Sequence, residues 1–100
     1  MNGSYLVFCV FELKTSDRED YLYAYMELAK LGLRRVVRAA NGPSFDLPAT
    51  AVMGMRDGPS ADDVKSLVGK EVRSIFKARG FSGTFFVVVG GDWACTGDSL

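Results

Sequence analysis

Long apolar runs alternate with short polar stretches along this chain. The first run, YLVFCVFEL from Tyr5 to Leu13, is broken only by Glu12. As a strand it sends Tyr5, Val7, Cys9, Phe11 and Leu13 to one side and Leu6, Phe8, Val10 and Glu12 to the other. A strand with one face in water alternates apolar with polar, and this one barely does. KTSDRED supplies the start of a helix, with Ser16 or Asp17 placed to accept its first free amides. Tyr21, Leu22, Tyr25, Met26, Leu28 and Ala29 recur at helical spacing, and Gly32 stands where a left-handed cap ends the helix. LRRVVRAA predicts a second strand, Leu33 to Ala40. The Asn41-Gly42-Pro43 punctuation of NGPSFD marks a loop or hairpin. LPATAVMGMR predicts a third strand with Pro48 near its start, where a missing amide does least harm. Ser60 and Asp63 have capping-box spacing ahead of a second helix, whose stripe is Val64, Leu67, Val68, Val72, Ile75 and Phe76 and whose end is Gly80. Gly69, inside that helix, suggests close packing against a strand. TFFVVV, Thr84 to Val89, predicts a last strand before a tail from about residue 90 to 100.

The order strand, helix, strand, strand, helix, strand predicts an α+β, ferredoxin-like βαββαβ domain over residues 1–100. Right-handed crossovers put both helices on one face of a four-stranded antiparallel sheet, with the first and third strands central. The other face is then bare. Leu6, Phe8, Val10, Phe86 and Val88 would expose several hundred Å2, a patch size that marks an interaction surface. A homodimer through the open sheet face is the expectation, and the tail with Trp93 folding back over the face is the alternative.

Composition narrows the chemistry. The 100 residues carry 12 basic and 12 acidic side chains, so no net field gathers nucleic acid and any polyanion site is local. The absence of histidine removes the serine triad, the histidine metal site and the usual general base at neutral pH. No run is long and apolar enough to span a bilayer, and the opening run lacks the flanks of a signal peptide, so a cytoplasmic chain without membrane contact is expected. Cys9 and Cys95 sit in such different contexts that a disulfide is not expected.

Glu12 closes the outward row of the first strand. Two copies meeting on a two-fold axis would bring their Glu12 carboxylates together around Mg2+, which activates water for phosphodiester cleavage; otherwise Glu12 simply solvates the strand end. Arg34, Arg35 and Arg38 form the densest basic cluster, either gripping phosphates or guarding an edge strand against aggregation. Alternation sends Arg34 and Arg38 to one side and Arg35 to the other. Lys65, Lys70, Arg73, Lys77 and Arg79 read as a solvated helix face. Tyr23 is the exposed tyrosine available for base stacking. The glycines at 54, 58, 90 and 91 do not make a phosphate loop.

The first strand, the acidic helix entry, the basic second strand, FDLPATAVMG and the closing apolar strand resemble the small ferredoxin-like antitoxins of the GhoS type. More distantly they resemble the small CRISPR-associated adaptation proteins that share this fold. The resemblance implies a bacterial endoribonuclease, in the antitoxin case one that cleaves a toxin's messenger RNA. It implies a metal-linked acidic residue at the end of the first strand, matched by Glu12 where the family favours aspartate, and an arginine in the second-strand region, matched by Arg34, Arg35 or Arg38. Two readings follow. One is an RNA-binding, Mg2+-dependent toxin-antitoxin nuclease with Glu12 as metal ligand and the three arginines at the phosphate. The other is a non-catalytic dimeric module, a small regulator or phage-encoded inhibitor, that engages a protein partner.

Overall fold

In the computed structural model, which describes residues 2–15, 17–38 and 44–96, the opening run is β1 (Gly3–Leu13), the middle strand of an antiparallel sheet. It is followed by α1 (Arg18–Lys30), β2 (Val36–Arg38), β3 (Ser44–Asp46), β4 (Ala51–Gly58), α2 (Ala61–Ala78) and β5 (Gly83–Gly90). The architecture is α+β, with two helices and a three-stranded sheet in the order β4-β1-β5, while β2 and β3 pair in a separate ribbon. Leu6 lies between Met55 and Gly90, Phe8 between Met53 and Val88, and Val10 between Ala51 and Phe86.

The two rows of β1 have different fates. Val7, Cys9, Phe11 and Leu13 are buried with Ala24 and Leu28 of α1 and Val64, Val68, Val72 and Phe76 of α2. Both helices therefore cover the same row, each fully buried aliphatic contributing about 1.5–3 kcal/mol of transfer free energy. Phe11 is the centre of an aromatic group, with its ring 6.2 Å from Tyr21, 5.7 Å from Tyr25 and 5.6 Å from Phe76.

Local signals place the helices. Asp17 caps α1 by accepting from the Glu19 amide at 2.9 Å, and Gly32 takes the left-handed conformation after it. Ser16, the other cap candidate, lies outside the described residues. Ser60 caps α2 by accepting from the Asp63 amide, and Gly80 is left-handed after it. The buried stripes differ in part from the expected ones. Leu22, Met26 and Leu67 are about half exposed, whereas Ala24 is fully buried. Apolar residues lie on several sides of α1, and two hydroxyl anchors fix which side turns inward. Tyr21 Oη accepts from the Leu13 amide and donates to the Leu13 carbonyl, while Tyr25 Oη accepts from the Thr50 amide at 3.0 Å. A 100° step per residue then carries Leu22 and Met26 off the inner face. Gly69 also departs from expectation, because a Cβ there would meet open space.

The second strand is where the four-stranded expectation is reduced to three. Arg34 exchanges both backbone hydrogen bonds with Met53, each 2.9 Å, as an isolated bridge beside β4. Extending that register would set Val36 against Ala51 and Arg38 against Ala49. The Ala51 amide already donates to the Pro48 carbonyl at 3.2 Å, Pro48 has no amide to donate, and the chain turns at Thr50 with φ +69°, so the ladder does not extend beyond the one bridge. On the other side the bridge stops at the Gly32 turn. The segment pairs instead with β3, Val36 opposite Asp46 and Arg38 opposite Ser44, and the Leu47 amide donates to the Arg35 carbonyl at 2.7 Å. The expected Asn41-Gly42-Pro43 turn and Ala39–Ala40 lie outside the described residues. Gly54 lets the Gly32 backbone cross directly over β4, since a Cβ at 54 would overlap the Gly32 carbonyl oxygen.

Candidate functional site

The face of the sheet away from the helices is an apolar surface. Leu6, Phe8 and Val10 run down its centre, partly exposed, between Met53 and Met55 of β4 and Phe86 and Val88 of β5. Phe86 is 64% exposed, and Val88 and Met55 are each 48% exposed. Arg34, opposite Met53, shares this face, and Ser4, Asp57, Glu12 and Thr84 complete a polar border. The described part of the tail leaves Phe86 uncovered, with Trp93 itself 42% exposed and Gly91 set against the Tyr5 ring. β5 is also an edge strand. Its sequence, GTFFVVVG, carries none of the lysine, proline or charge that usually guards a free edge.

The residues singled out for phosphate chemistry are dispersed. Glu12 is exposed at the end of β1, opposite Thr84, and lines an open cleft of about 520 Å3 with Tyr21, Thr50 and Phe86. Arg34 is two strands across and four residues along from it, ~16 Å away by strand spacing and rise. Arg35 points the other way, its guanidinium 4.3 Å over the Tyr25 ring. Arg38 lies in β2 opposite Ser44, and its side chain is outside the described residues. One chain therefore does not gather Glu12, Arg34 and Arg35 around a single phosphate. Among the described residues no three His, Cys, Asp or Glu side chains come together as metal ligands. A lone exposed carboxylate does not hold Mg2+, which needs near-octahedral oxygen coordination, so Glu12 by itself does not fit that ion.

Two arginine-tyrosine stacks went unforeseen in the sequence, because the partners are far apart in the chain. Arg79 lies 3.9 Å over the Tyr23 ring, which also meets Phe81 edge-on, so the tyrosine expected to be open for stacking is partly covered. Its hydroxyl bonds Glu27, which raises the Tyr23 pKa, and Lys30, 2.9 Å from Glu27, holds that carboxyl below its usual range. Arg35 and Tyr25 instead border a separate cleft of about 330 Å3 between α1 and the turn at Thr50, to which Arg18 also contributes. Both cysteines are free. Cys9 is buried, which pushes its thiol up to about 11, and Cys95 is exposed.

Compared with protein-family models, curated proteins and solved structures, the chain matches none of them. No helix among the described residues is long and apolar enough to cross a membrane.

Proposed function

We propose that this chain is an interaction module of ferredoxin-like topology, shortened at its second strand, that pairs with a second copy through the open sheet face. The carrying observation is the exposure of Phe86, Val88 and Met55 on one continuous apolar surface beside the half-buried row of β1. The strand order β4-β1-β5, with Arg34 bridged to the outer side of β4, supports the topology. The patch offers roughly 400 Å2 per chain, within the range of functional patches on monomers and about half of what each partner gives a standard interface. The pairing is therefore of the transient, concentration-dependent class rather than an obligate one. The polar border of Arg34, Glu12, Asp57 and Thr84 sets its orientation rather than its strength.

Sedimentation equilibrium across about 1 to 500 μM tests this, spanning the affinities such an area supports. Self-association is expected for the natural chain, and Phe86→Lys is expected to abolish it without unfolding the protein. A chain that stays monomeric throughout refutes the pairing. The competing reading, RNA cleavage with Mg2+, takes its second carboxylate from Glu12 of the second copy, because no metal-ligand cluster forms among the described residues of one chain. Incubation with mixed RNA, with Mg2+ or a chelator, separates the two. Cleavage that requires Mg2+ and is lost in Glu12→Ala would replace the module reading with a nuclease.

A further inference from the structure

Among the described residues, Arg35 Nε is the one buried side-chain nitrogen or oxygen with no hydrogen-bond partner. Buried donors are paired in more than nine cases in ten, so an unmatched guanidinium nitrogen asks for an explanation. The rest of that guanidinium is held flat, 4.3 Å over the Tyr25 ring. Tyr25 is fixed in turn by the Thr50 amide on its hydroxyl. The ion pairs among the described residues are Lys30–Glu27, Arg56–Glu71 and Lys65–Asp62, and neither Arg35 nor Arg18 is paired with a described carboxylate. In the chain Arg18 stands between Asp17, engaged as the cap of α1, and Glu19, neither of which pairs with it among the described residues. Both arginines line the same cleft of about 330 Å3, with Tyr21, Leu22, Tyr25 and Thr50.

From this we infer a binding site for a small phosphomonoester with a flat or apolar body, such as a mononucleotide. Its phosphate lies between Arg35 and Arg18, and its body lies along Tyr21 and Leu22. Stacking preorganises the Arg35 fork, so little rotamer freedom remains to be lost when an anion arrives. Two guanidiniums border the cleft from different elements, Arg18 from α1 and Arg35 from the segment before β2. A tetrahedral phosphate with three free oxygens meets both, whereas a planar carboxylate saturates one. Leu22 is 51% exposed at the rim and gives the body of the ligand an apolar surface. The site lies beside α1 and shares Tyr21 and Thr50 with the cleft at Glu12, but neither arginine of the site belongs to the apolar patch.

The test is an NMR titration of the full chain with adenosine monophosphate, adenosine and inorganic phosphate. Adenosine monophosphate is expected to shift the resonances of Tyr25, Arg35 and Thr50 and to bind at least tenfold more tightly than adenosine or phosphate alone. Arg18→Gln, at an exposed position that leaves the fold intact, is expected to weaken binding about tenfold, as loss of one charge-assisted contact does. Arg79→Gln removes the other stacked arginine and is expected to change nothing. A phosphate-ended oligonucleotide that binds as the mononucleotide does, while its hydroxyl-ended form does not, would assign the ligand to a chain end rather than a free nucleotide. The inference is overturned if the cleft resonances do not move, if adenosine binds as well as its monophosphate, or if Arg79→Gln weakens binding as much as Arg18→Gln.

Discussion

The same chemical change, glycine to alanine, should have opposite effects at Gly54 and Gly69. At Gly54 the added methyl would overlap the Gly32 carbonyl oxygen and come within 2.9 Å of its carbon, both backbone atoms that cannot rotate away. The Gly32–Arg34 segment must lift off β4. Lifting it breaks the paired Arg34–Met53 hydrogen bonds, each worth about 1 kcal/mol net. It also uncovers Leu33, fully buried now, at up to about 2 kcal/mol. Gly54→Ala should therefore cost roughly 3–4 kcal/mol of the 5–15 kcal/mol a domain of this size possesses. At Gly69 the methyl meets no atom, so only helix propensity changes, and Gly69→Ala should gain up to about 1 kcal/mol. Urea unfolding followed by far-ultraviolet circular dichroism gives both values. A Gly54→Ala protein within 1 kcal/mol of the parent would refute the close crossing of the Gly32 turn over β4, and with it the reason Arg34 and Arg35 stand where they do. A destabilised Gly69→Ala protein would mean that the exposed side of α2 is covered.

Thiol labelling of the native chain should modify Cys95 rapidly and Cys9 only on unfolding, because burial both hides the Cys9 thiol and holds it up to about 11; equal rates would refute the placement of β1. Since the folded value lies above the ordinary thiol value of about 8.5, the neutral thiol favours the fold below that pH, and this contribution fades as pH climbs from there toward 11. Removing it with Cys9→Ala should flatten the alkaline decline in urea-derived stability. Glu71→Gln should lower stability by about 1–2 kcal/mol, because it breaks the two-pronged pairing with Arg56, at 2.9 and 3.2 Å, that ties α2 to β4 where both side chains are about three-quarters buried; an unchanged urea midpoint would count against that link. Thr50→Gly should raise stability by about 0.5–1 kcal/mol by relieving a β-branched residue at φ +69°, whereas Thr50→Val, which keeps the strain, should not; equal midpoints would argue that Thr50 is unstrained.

The local elements were legible in the residues alone. The two rows of β1, the Asp17 and Ser60 caps, the Gly32 and Gly80 stops and the β5 run are all set by side-chain period and backbone preference within a few residues. Those signals also implied a sheet face without helices, because Leu6, Phe8, Val10, Phe86 and Val88 had no predicted cover. Packing settled which side of α1 turns inward, since apolar residues lie on several sides and the Tyr21 and Tyr25 hydroxyls find distant backbone partners. It also decided that the sheet stops at three strands. The bend at Pro48 to Thr50 removes the partner that the second strand would have used, and the crossing at Gly54 leaves room for one bridge. Arg34 and Arg35, adjacent in the chain, are sent to different surfaces by that bridge, one to the apolar face and the other onto Tyr25. A cluster that looks like one site in sequence is thus two in space, because neighbours on an extended strand point apart while residues ten apart, such as Tyr25 and Arg35, can stack.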